Sequence, residues 1–148
     1  MAAAPSLMAR ALAALARREY SRQELRDKLQ RFEENPGELE AVFEQLEKRG
    51  WLSEQRYVEQ LTGVRRRKFG AARIVSELRG KGVSEEALEK AQAALNAGEI
   101  AAARAVWKKK FGTPAGSLKE KGRQARFLAG RGFSAEVVHA VLKLPLDE

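Results

Sequence analysis

Leu78-Arg79-Gly80-Lys81-Gly82-Val83-Ser84 is a helix stop joined directly to a helix start. Leu78 completes an apolar stripe of Ala71, Ile74, Val75 and Leu78, the spacing of one buried helix face. A glycine just past the last turn takes the left-handed conformation that closes a helix. The apolar Val83 then docks on a core, and the Ser84 side chain accepts from free amides of the next helix. The same order of residues stands in Leu46-Glu47-Lys48-Arg49-Gly50-Trp51-Leu52-Ser53 and in Leu128-Ala129-Gly130-Arg131-Gly132-Phe133-Ser134.

A second echo lies upstream of these junctions. Glu19-Tyr20-Ser21, Lys68-Phe69-Gly70 and Lys110-Phe111-Gly112 each close a helix with an aromatic and a small breaker. Tyr20 to Leu25 and Leu29 repeats the spacing of Phe69 to Ile74 and Leu78, and the third unit carries an insert from Thr113 to Leu118. The two echoes predict an all-α chain of three tandem three-helix repeats, at 1–52, 53–98 and 99–148. Helices are expected at roughly 7–18, 22–32, 37–49, 54–69, 71–81, 85–96, 99–111, 118–130 and 135–143. Leu118, Ala125 and Leu128 form the weak inner stripe of the eighth, and Pro36-Gly37 suits the opening of the third. Short helices bury little alone, so the units are expected to share a core and stack into one elongated, curved body.

Composition narrows the function classes. There is no cysteine, which removes disulfides, thiolate metal sites and cysteine nucleophiles and suits a reducing cytoplasm. No apolar run reaches the length of a membrane span, so no membrane partner is expected. The Ala-rich start with Arg10, Arg17 and Arg18 reads as a first helix capped by Ser6 rather than a targeting peptide. His139 is the only histidine and has no partner for metal or acid–base work. Ser6, Ser21, Ser53, Ser84, Ser117 and Ser134 stand at helix starts, where capping accounts for them. No phosphate-cradling loop or zinc spacing occurs. Neither an enzyme nor a cofactor is expected.

Charge is what remains. Residues 1–52 hold nine basic and nine acidic side chains, residues 53–98 nine and six, and residues 99–148 ten and five. The net charge of +8 therefore belongs to the later two thirds, which points to a polyanionic partner. One cluster is Arg65, Arg66, Arg67, Lys68, Arg73, Arg79 and Lys81, opposed only by Glu77. Arg66 is expected opposite the Leu61 stripe. The other cluster is Arg104, Lys108, Lys109, Lys110, Lys119, Lys121, Arg123, Arg126 and Arg131, opposed by Glu120. Such bases add sequence-independent, salt-sensitive affinity for phosphates, and an acidic protein surface is a competing target. Trp51, Tyr57, Phe69, Trp107, Phe111, Phe127 and Phe133 fall at junctions and apolar faces, which favours core packing. Trp107, beside Lys108, is the aromatic singled out for a base contact.

Three stretches resemble the RecX family. They are Ser21-Arg22-Gln23-Glu24-Leu25-Arg26-Asp27-Lys28-Leu29, Gly50-Trp51-Leu52-Ser53-Glu54-Gln55-Arg56-Tyr57-Val58, and Arg66-Arg67-Lys68-Phe69-Gly70-Ala71-Ala72-Arg73-Ile74 with Glu77-Leu78 and Lys81-Gly82-Val83. Lys110-Phe111-Gly112, Arg126-Phe127-Leu128 and Gly132-Phe133 resemble its last unit. The likeness runs in order from about Leu12 to Leu142. Lys68 stands where the family commonly has glycine, so the fourth helix is expected to run one residue further. Ala71 stands where proline is frequent, and Ser53 replaces a frequent aspartate but keeps the cap.

The resemblance implies a regulator of homologous recombination, DNA repair and the SOS response. Members lodge along the groove of the RecA nucleoprotein filament. They suppress strand exchange, ATP hydrolysis by RecA and repressor cleavage, and some also bind single- or double-stranded DNA. A monomer acting in the cytoplasm is expected. On the residues alone the rival is a helix-turn-helix DNA regulator. Three units with dispersed bases speak against a single recognition helix.

Overall fold

The structure, a computed structural model, describes residues 3–143. The outer ends of the first and third expected repeats, residues 1–2 and 144–148, lie outside them. Among the described residues there are nine α-helices and no strand. They are α1 (Leu7–Leu15), α2 (Arg22–Leu29), α3 (Glu38–Lys48), α4 (Glu54–Arg65), α5 (Ala71–Gly80), α6 (Glu85–Ala97), α7 (Glu99–Lys110), α8 (Leu118–Gly130) and α9 (Ala135–Lys143). A 3₁₀ turn at Gln30–Phe32 extends α2.

Capping follows the sequence. All six helix-start serines accept a backbone amide three residues on: Ser6 from Ala9, Ser21 from Glu24, Ser53 from Arg56, Ser84 from Ala87, Ser117 from Glu120 and Ser134 from Val137. Ser21 and Glu24 complete a reciprocal capping box. Gly50, Gly82 and Gly132 have φ of 76°, 79° and 96°, the left-handed closure the motif requires.

Two helices end sooner than their apolar patterns suggest. The first stops at Leu15 rather than 18, because the Arg17 and Arg18 amides both turn back to the Ala14 carbonyl. The fourth stops at Arg65 rather than 69, with the amides of Lys68 and Phe69 both donating to the Arg65 carbonyl. Lys68 thus does not lengthen the helix. The eighth helix also differs, since Leu118 is 88% exposed and the buried residues are Gln124 and Leu128.

The units do not share one core. Leu25, Leu29, Leu39, Phe43 and Leu46 centre the first, Tyr57, Ile74, Leu78, Leu88 and Leu95 the second, and Trp107, Leu128, Phe133, Val138 and Val141 the third. Helix packing runs within each triplet. The solvent-accessible surface is 9730 Å², against roughly 7500 Å² for a compact monomer of this mass. The body is elongated, as separate cores in tandem require.

The joints between units are polar, and both have the same plan. The start of the middle helix in one unit meets the turn after the middle helix in the next. At the first joint the Gln23 side-chain amide donates to the Gly80 carbonyl at 3.0 Å. A Cβ on Gly82 would sit 2.6 Å from Gln23 Oε1. Arg56 also reaches Glu19 at 2.9 Å. At the second joint the Gly70 amide donates to the Arg131 carbonyl at 2.7 Å, and Arg73 Nη1 donates to the Gly130 carbonyl at 3.2 Å. Hence two of the three Leu-to-Ser motifs serve as docking turns. The copy at Leu46–Ser53 links α3 to α4 instead, and Gly50 faces open space.

Candidate nucleic-acid interface

The two basic clusters fare differently. In the first, α4 aims Arg65 at α5, where Nε and Nη2 lie 2.8 and 3.0 Å from the Glu77 carboxylate. That forked pair holds the Glu77 carboxyl below its ordinary value of 4.5. Arg66 does not project opposite the Leu61 stripe. It caps α4 and turns into the second joint, with Nη1 2.5 Å from Glu99 Oε1 and another donor on the Leu95 carbonyl. Arg73 lies over the Phe69 ring at 4.2 Å as well as bonding to Gly130. Arg79 lies 3.8 Å from Glu85, and Lys81 lies 3.7 Å from Glu24 across the first joint. Only Arg67 and Lys68 are exposed with no polar partner among the described residues.

Sequence reasoning missed Glu99. It is 7% exposed, and its two oxygens each lie 3.1 Å from the Ala71 amide. Gly70 offers α5 no side-chain cap, so a carboxylate from the next unit fills that role while neutralising Arg66. The available signal was a lone acid at a helix start, in a unit otherwise rich in bases.

The second cluster is uncompensated. Lys108, Lys109 and Lys110 form the exposed last turn of α7, which favours cations at the negative end of the helix dipole. Arg104 on α7 and Lys119, Arg123 and Arg126 on α8 are exposed, and Lys121 is half-buried. None of these pairs with an acid among the described residues, and Lys110 lies 5.4 Å over the Phe127 ring. Glu120, the acid sequence reading set against them, accepts from the Gly116 amide at 2.8 Å.

Trp107 is buried and donates from Nε1 to Gln124 Oε1 at 2.9 Å, so it is a core residue and not a stacking platform. Phe111 and Phe127 pack edge to face at 5.4 Å. Trp51 is the exposed tryptophan, at 44%. His139 is exposed on α9. No group of three or more metal-binding side chains, and no helix long and apolar enough to cross a membrane, occurs among the described residues.

Three family models match in order: the first three-helix domain of RecX at residues 8–46, the second at 53–91 and the third at 98–142. The chain is 46% identical over 139 residues to a regulatory protein RecX of Leptothrix cholodnii, covering 94% of this chain and 88% of that one. It is 42% identical over 138 residues to its counterpart from Ralstonia nicotianae, covering 93% and 87%. The crystal structure of RecX from Lactobacillus salivarius superposes with a TM-score of 0.80 over 96% of both chains at 15% identity, a likeness of fold alone. With nine helices in three triplets among the described residues, and relatives this similar along nearly the whole chain, the protein belongs to the RecX family of regulatory proteins.

Proposed function

We propose that the chain binds the RecA–single-stranded DNA filament and lowers its ATPase, strand-exchange and repressor-cleavage activities, as a non-enzymatic monomer in the cytoplasm. The observation that carries this is the third unit: eight bases on and around α7 and α8, without acidic partners among the described residues, at one end of an elongated body. A field of that kind is drawn to phosphates. A filament groove offers phosphates and protein together over a length that suits tandem units.

Within the sequence-predicted set, Lys108, Lys109, Lys110, Arg123 and Arg126 are placed first, followed by Arg67 and Lys68. Arg65 and Arg79 pair with acids inside the second unit, and Arg66, Arg73 and Lys81 act at the joints that hold the array. The test is RecA ATP hydrolysis on single-stranded DNA, titrated with this protein. A dose-dependent fall below one copy per RecA subunit is expected. An unchanged rate with strong preference for one duplex sequence would instead favour a helix-turn-helix regulator.

A further inference from the structure

The first unit looks neutral in sequence, yet its charges segregate in space. Two acids of α3 are taken up by α2: Arg22 pairs with Glu40 at 3.4 Å and Glu47 at 3.0 Å, and Arg26 pairs with Glu40. Arg18 pairs with Glu24 at 3.1 Å, and Glu19 is taken by Arg56. Six bases are left over, and four of them line one open cleft of about 620 Å³ between α1, α2 and the 3₁₀ turn: Arg10, Arg17, Lys28 and Arg31. None has an acidic partner among the described residues. The guanidinium of Arg10 lies 3.6 Å over the Phe32 ring and that of Arg31 lies 4.6 Å from it, which orders both groups before any ligand arrives.

We propose that this cleft is a second phosphate-binding site, taking the sugar–phosphate backbone of nucleic acid. Three of its four bases are arginines, whose planar forks match phosphate oxygens. Arg10 lies on α1 and Arg17 two residues past its end, a separation of seven residues that follows a strand better than it encloses a single ion. Phe32 is covered by guanidinium groups, so the site reads backbone and not bases. The middle unit has its bases largely engaged, while both end units present free ones. The chain therefore holds a strand at two separated points, and the second raises the effective concentration of the first. The inference rests on the proposed function only in making nucleic acid part of the target.

The test is fluorescence anisotropy of a labelled oligothymidylate with the full chain, over a range of salt. Arg17→Glu with Arg31→Glu alters two exposed residues. It should weaken binding at least about tenfold at low salt and lower the slope of log affinity against log salt by roughly one to two. Lys48→Glu with Arg49→Glu, at the end of α3, matches the charge change outside the cleft and should have much less effect. Arg17→Gln with Arg31→Gln provides a milder pair, with circular dichroism to confirm folding, and should lower the slope in the same direction. Equal losses from cleft and control pairs, or an unchanged slope in the cleft pairs, would overturn the proposal. So would a loss seen only on RecA-coated DNA, which would make the cleft a protein contact. Cleft-dependent binding to bare DNA with RecA hydrolysis unaffected by the parent protein would uphold this site while removing the proposed function.

Discussion

Arg66 and Glu99 meet at 2.5 Å inside the second joint, and the same carboxylate receives the first amide of α5. One side chain thus caps a helix, neutralises an arginine and ties two units together. Removing one partner of such a pair strands the other in a poorly solvated place. Glu99→Gln should cost roughly 2–4 kcal/mol in urea unfolding. Arg67→Gln, one residue from Arg66 but exposed, should stay within about 0.5 kcal/mol of the parent. Equal effects at Glu99 and Arg67 would show that the joint contributes little.

Glycine substitutions separate turn strain from docking. Gly50 and Gly132 both have positive φ, so alanine carries about 1–2 kcal/mol of backbone strain at either. Gly50 faces open space, whereas a Cβ at Gly132 would lie 2.6 Å from Arg73 Cβ. Gly70 has an ordinary φ of −83°, yet its Cβ would lie 2.5 Å from the Gly132 backbone. Gly132→Ala should therefore lower thermal stability more than Gly50→Ala, and Gly70→Ala should resemble Gly132→Ala. Equal melting temperatures for the Gly50 and Gly132 variants would argue against close packing at the joint.

The two tryptophans should report different things. Trp107 is buried and hydrogen-bonded, so its emission should be blue-shifted and resist iodide quenching, unlike that of Trp51. Adding oligonucleotide should leave Trp107 emission unchanged in a Trp51→Phe protein. Gln124→Leu, which deletes its partner, should cost about 1–3 kcal/mol.

Charge reversal should divide the basic clusters. Lys108→Glu with Lys109→Glu should lower the salt slope of filament binding by roughly two with little change in melting temperature. Arg66→Glu should chiefly lower the melting temperature, by setting a second carboxylate against Glu99. The reverse pattern would reassign the interface to the second unit.

Acid should weaken the fold through its carboxylates. Glu77 is held below its ordinary value by the hydrogen bond from Arg65. Burial pushes Glu24 up, but Arg18 and the Ser21 amide more than offset it. A depressed folded value gives stability that is present above the unfolded value of 4.5 and is lost as pH falls through the folded one. Urea midpoints should hold near neutrality and drop progressively below about pH 4.5, and Glu77→Gln should flatten that drop.

Much of the architecture was legible because it is written in local rules. Each of the six serines and each left-handed glycine acts within a few residues, so a sequence displays it. The joints were not legible, because Gln23–Gly80 and Arg66–Glu99 join residues far apart along the chain. A run such as Arg65 to Lys68 shows charge but not its destination, and two of its four members are spent inside the protein. The neutral tally of the first unit hid the cleft for the same reason. Opposite charges cancel in a count even when they lie on different faces.

Among the described residues each unit has eight to ten buried core residues, few for a comfortable margin in a module of this length. Folding free energy is then spread over three modest local terms and two couplings between neighbours, as in a one-dimensional lattice. Heating should fray the array from its tips, giving a broad calorimetric transition instead of a sharp one. Amide exchange should be slowest in α5, which borders both couplings.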